Sequence, residues 1–172
     1  MTLLQLRTFD ERNAPHEQAM DELTLLLMAR GFVVSWTGQE HWMSEDGMRA
    51  LRNAGQDYMV RAVRHMPDLF ALKPGDRAGF PPAWWDVAVN TTPRTPNFAI
   101  ERAKSDEFMA RVAKGERIVT AFKDWNGKWY AQWIERLECA RVVARASFRG
   151  SHRPYVLVAK SSAASLSEFL KG

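Results

Sequence analysis

The chain has 172 residues, 46% hydrophobic and 26% charged, with a net charge of +4 and a sequence pI of about 9.5. That length suits one domain with a sizeable core, and the run of about 18 apolar residues that a membrane helix needs does not occur. The single cysteine, Cys139, excludes an internal disulfide framework and a cysteine-based zinc site, and it suits a reducing cytoplasm. The N-terminal stretch MTLLQLRTFDERN turns acidic and polar too early for a secretory signal.

The charge is unevenly placed. From Cys139 onward, Arg141, Arg145, Arg149, Arg153, Lys160 and Lys171 stand against one acid, Glu168, and the rest of the chain is close to neutral. A basic segment on a neutral body points to a polyanionic partner, against the simpler reading of a solvated strand and loop.

In chain order, residues 15–30 read as a helix. Apolar residues fall at 19, 20, 23, 26 and 27, Pro15 suits a first turn and Gly31 a stop. FVVSWTG (32–38) reads as a strand. A short helix is expected around 46–63. PDLFALK (67–73) and AWWDVAVN (83–90) read as strands separated by a Gly- and Pro-rich turn. The spacing predicts an amphipathic helix over 97–115, with Asn97 as cap and Gly115 as stop. Residues 116–124 and 128–137 form a hairpin about a WNG turn. The tail 140–160 adds one or two strands, and 165–170 a last helical turn. Helix, three strands, helix and strand define an α/β fold with a mixed central sheet flanked by helices.

The chemistry centres on two carboxylates. Asp68 opens one strand and Asp86 lies in the middle of the next. Pairing of these strands lets both converge on one edge of the sheet. A carboxylate inside WWDVAV is costly to bury without a partner, and a metal or basic neighbour explains it. A hard cation such as Mg²⁺ needs one or two carboxylates plus water and substrate oxygens. Residue 88 shares the face of Asp86, and it is alanine.

Pro67-Asp68, then Asp86-x-Ala88, within this order of elements, resembles the PD-(D/E)xK nucleases, a superfamily that includes restriction enzymes and Holliday-junction resolvases. The resemblance covers about 15–137, leaving 139–172 as a basic C-terminal β extension of a single domain. It implies a restriction-endonuclease-like αβββαβ core and a metal-dependent DNA endonuclease of the phage or mobile-element resolvase or repair kind. It implies Mg²⁺ or Mn²⁺ on Asp68 and Asp86 with an acid from the first helix, either Glu22, close to the apolar stripe, or Glu17, in the first turn. A homodimer is the expected assembly. The family's lysine position is Ala88. Three readings stand open: an engineered inactive form, which is preferred; transfer of the lysine function to another residue, with Lys104 nearest; or a decayed site on a protein that only binds DNA. Arg102 and Lys104 on the helix and Arg141, Arg145, Arg149 and Arg153 in the tail are the expected phosphate contacts.

Glu101 and Lys104 are three apart, a helical and not a strand spacing, so both are placed on a helix face, more simply a solvated one. His16, His41, His65 and His152 form no ligand pattern, although His65 adjoins the Pro67-Asp68 motif and Gln39, Glu40 and His41 border the first strand. A protein-interaction module whose tail meets an acidic partner is a third possible function.

Overall fold

A computed structural model describes residues 9–38, 44–54, 58–75, 79–91, 93–146 and 152–172. Gln39, Glu40, His41 and Arg149 lie outside them.

The first helix, α1 (Phe9–Met28), buries the expected stripe, with Ala19, Met20, Leu23 and Leu27 fully enclosed. It begins before Pro15 and carries that proline inside, where the ring removes one backbone donor and crowds the carbonyl one turn earlier. Gly31 ends the segment at φ 85, where a residue with a Cβ is strained. Strand β1 (Val33–Trp36) follows, then α2 (Glu45–Asn53) and α3 (Tyr58–Arg64) in place of the single expected helix. Strands β2 (Leu69–Leu72) and β3 (Ala83–Val89) complete an antiparallel meander, with Trp36 opposite Leu69 and Leu69 opposite Trp85.

The region 97–115 departs from expectation. It starts as strand β4 (Asn97–Glu101) and becomes helix α4 only at Arg102, running to Val112. Phe98 and Ile100 alternate and are buried, a strand pattern too short to stand out beside a longer helical one. Asn97 is therefore a strand residue and not a helix cap. Strand β5 (Ile118–Lys123) pairs parallel to β3, and β6 (Trp129–Trp133) returns antiparallel to it through a turn that uses Gly127 at φ 79. Strands β7 (Cys139–Ala146), β8 (His152–Ala159) and β9 (Ala164–Ser165) and the short α5 (Leu166–Phe169) complete the chain.

The main sheet runs β1-β2-β3-β5-β6-β9, mixed in direction. The C-terminal β extension pairs back onto the core, because β7 and β8 join β4 in a second, antiparallel sheet of order β4-β8-β7. One face of the main sheet packs Trp85, Val87 and Val119 against α1. The other face carries Trp84, Asp86 and Ala88. It packs on α4 through Phe108 and on the second sheet through Phe98, whose ring stacks on Phe122 at 4.2 Å. Among the described residues no helix is long and apolar enough to cross a membrane.

Candidate active site

The β2–β3 ladder sets the site. Its last pair is Leu69 with Trp85, so one further step brings Asp68 opposite Asp86 on the face that looks toward α4. The backbone of Asp68 is fixed by the end of β1. Thr37 and Gly38 donate N–H bonds to its carbonyl, and the Thr37 hydroxyl donates to the carbonyl of Pro67 at 2.7 Å. Both carboxylates are buried, Asp68 to 1% and Asp86 to 2% exposure.

The two are held differently. Asp68 Oδ2 accepts the Val87 N–H at 2.7 Å and lies 3.3 Å from His16 Nε2, which must donate to an ionised carboxylate. Burial raises the Asp68 pKa. The nearby Lys104 charge, the His16 bond and the Val87 bond outweigh burial and hold it well below the usual carboxylate range. Asp86 has no comparable set of donors. Lys104 Nζ lies 2.6 Å from its Oδ1, and the two form an ion pair. Burial, helped by the charge of Asp68, overcomes the lysine and pushes Asp86 up to about 7. Two carboxylates whose environments drive their pKa values apart are a recurrent feature of catalytic sites.

Lys104 comes from the first turn of α4, one turn ahead of the enclosed Phe108, and its ammonium sits 5.8 Å from that ring. A helix N-terminus disfavours a cation, and the carboxylates offset that. Lys104 is thus not on a solvated face. It brings an amine to the pair of acids where residue 88 does not. Ala88 itself is packed against the Phe98, Phe122 and Val158 cluster.

The remaining expected residues fall elsewhere. Glu22 forms an ion pair with Lys123 and accepts the Trp129 indole N–H at 3.1 Å. Its pKa is lowered because these two partners outweigh burial. Glu17 is exposed, in mid-helix and not in a first turn. The residue that α1 does deliver is His16. It continues the stripe of Ala19, Met20 and Leu23 by one turn, a periodicity that could have singled it out. His65 is buried at the end of α3, and that burial lowers its pKa despite the pull of Glu101. Arg102 pairs with Asp106 at 3.7 Å and is exposed, as is Arg141. Arg145 and Arg153 are cross-strand partners in the β7–β8 ladder.

Mg²⁺ fits this donor set. In register with Asp86 on β5, Thr120 Oγ1 is buried without a hydrogen-bond partner among the described residues, so a hydrated cation would meet one unsatisfied oxygen beside a carboxylate that Lys104 holds. Among the described residues no three histidine, cysteine, aspartate or glutamate side chains converge as a closed metal cage would require.

Similarity to known proteins is visible in the fold. The chain superposes on the Holliday junction resolvase Hjc from Archaeoglobus fulgidus, an archaeal hyperthermophile, over 90% of its own length and 94% of the resolvase, with a TM-score of 0.50 and 11% identity. At that identity the likeness defines the fold: a mixed α/β layout with a central sheet flanked by helices, resembling that of a resolvase nuclease. The sequence matches no protein-family model and no curated protein.

Proposed function

We propose that the protein is a metal-dependent DNA endonuclease in which Lys104 fills the role expected at position 88. One observation carries this reading: two buried carboxylates from adjacent strands share a face with an amine 2.6 Å from one of them. The resolvase-like fold supports it.

Asp68 and Asp86 would hold Mg²⁺ or Mn²⁺, which when bound polarises a scissile phosphate and lowers the pKa of a bound water. Asp68 enters ionised, with His16 and the Val87 N–H fixing its orientation. Asp86 would have to be ionised to hold the cation, and Lys104, beside its carboxylate, would stabilise negative charge developing on a phosphate there. The basic tail and Arg102 supply phosphate contacts that need no metal. Cutting both strands of a duplex or junction calls for two such sites, and a homodimer provides them.

The test is cleavage of labelled linear and four-way-junction DNA in Mg²⁺ and in Mn²⁺, by this chain and by Asp86→Asn. The chain as it stands is expected to cut and the variant not to. Binding without cutting in either cation would replace this reading with a DNA-binding protein on a decayed nuclease fold.

A further inference from the structure

The main sheet carries a second concavity, away from the carboxylates. It opens beyond the N-terminal end of β3, on the Trp85 side of the sheet, where α1 also packs. It has a volume of about 840 Å³, within the range of small-molecule sites. Neither Asp68, Asp86 nor Lys104 lines it.

Its lining combines two chemistries. The first is aromatic. Phe80 stacks on Trp133 with centroids 5.2 Å apart and planes 13° from parallel, and Phe169 closes on both rings at 5.4 and 5.5 Å. All three are half-buried and not sealed into the core. The second is cationic. Lys73, Arg117, Arg136 and Lys171 reach the rim from four separate segments, and all are exposed. Among the described residues the acidic side chains there are Glu135 and Glu168. Glu168 turns back to its own helix start, where it accepts the Ser165 hydroxyl at 2.7 Å.

Flat rings beside several cations are what a nucleotide needs: a π-surface for the base, and charge with donors for the phosphate. We infer that this cavity binds a nucleotide unit, base on the aromatic group and phosphate on Arg117 and Lys171. The unit is either a free nucleotide or the end of a single strand. The site lies on the opposite sheet face from Asp86 and does not rest on the nuclease reading.

The experiment is a tryptophan-fluorescence titration in chelator, so that no cleavage enters the result. The probes are dAMP, deoxyadenosine, inorganic phosphate and a 5′-phosphorylated pentathymidylate. The proteins are the chain itself, Arg117→Glu/Lys171→Glu, Trp133→Phe and Asp86→Asn. Saturable quenching by dAMP or by the pentamer is expected, at least tenfold weaker in the double variant and lost with Trp133→Phe, but unchanged in Asp86→Asn. Response to dAMP identifies a free-nucleotide site, and response to the pentamer alone a strand-end site. Arg117 and Lys171 are exposed, so circular dichroism of the double variant is expected to match the parent. No quenching by any probe at millimolar concentration, equal affinity in the double variant, or equal competition by inorganic phosphate alone would overturn the assignment.

Discussion

At the residue scale the question is what Lys104 and Asp86 each contribute. An amine 2.6 Å from a buried carboxylate stabilises charge that develops beside it. Lys104→Ala is therefore expected to slow cleavage by about 10²–10³-fold, the usual effect of losing one oriented electrostatic donor. DNA affinity should change far less. Ala88→Lys is expected to restore nothing, because position 88 packs on the Phe98–Phe122 stack and a longer side chain overfills it. Steady-state cleavage and thermal melts of the two variants decide this. If Ala88→Lys cuts faster than the parent, the role assigned to Lys104 is wrong. Asp86 gives a second prediction. The folded chain keeps its proton up to about 7, whereas the ordinary value is 3.8. Between those values the folded state binds more protons than the unfolded one, so stability falls as pH rises through that interval, and the deficit is complete above it. Asp86→Asn removes the deficit. In chelator its Tm should exceed the parent's at pH 8, by about 2–4 °C for each kcal/mol recovered, and by less at pH 5. An equal difference at both pH values would contradict the assignment. Asp68 and Asp86 were legible in the sequence because each sits in a short strand pattern. Lys104 was legible as the nearest residue to take over the lysine function, whereas His16 was not singled out, although its place one turn before Ala19, Met20 and Leu23 offered the signal.

At the scale of elements, the change from strand to helix at Glu101 matters most. Residues 97–101 are a strand because β8, some 55 residues on, supplies the ladder partner. Local sequence cannot display that partner, so a local reading carries the helical pattern of 102–112 over them. Strands β1, β2, β3, β5 and β6 were legible, since each carries β-branched or aromatic side chains near turn residues, whereas the two-residue β9, with neither kind of side chain, was not. The two sheets are also tied by a polar staple. Lys160 donates to both oxygens of Asp124 at 2.9 and 2.8 Å, and Asn90 donates to the same carboxylate at 2.8 Å. Burial raises the pKa of Asp124, but Lys160, the Trp125 N–H and Asn90 together lower it. Its contribution is present above the unfolded carboxylate value and lost as pH falls through the folded one. Lys160→Ala leaves a buried carboxylate without its cation, at a cost of about 3 kcal/mol, the low end for breaking a buried pair. Urea melts should show that loss at pH 7 and a much smaller one at pH 3, where Asp124 is closer to neutral in both proteins.

At the scale of the whole molecule, charge placement argues for the polyanion. The excess of basic residues after Cys139 was legible from composition alone, but its geometry was not. The β7–β8 register puts Arg145 directly opposite Arg153 in a two-stranded ribbon that continues past the last β4 pair, Glu101 with Tyr155. Like charges directly opposite one another weaken a ladder. A two-stranded ribbon is also of a size that a DNA major groove accepts. The register thus sets two basic residues at one level of the ribbon. Stability and binding should therefore respond in opposite directions to Arg153→Gln. With no DNA present, removing one of two like charges at that register position should leave Tm level or raise it. On the proposed DNA-binding reading the substitution costs one phosphate contact, and the slope of log K against log salt should become shallower by about 0.9. Fluorescence anisotropy of a labelled duplex between low and physiological salt measures that slope. A variant that melts lower and keeps the parent slope would show that the ribbon is there for the fold and not for the nucleic acid.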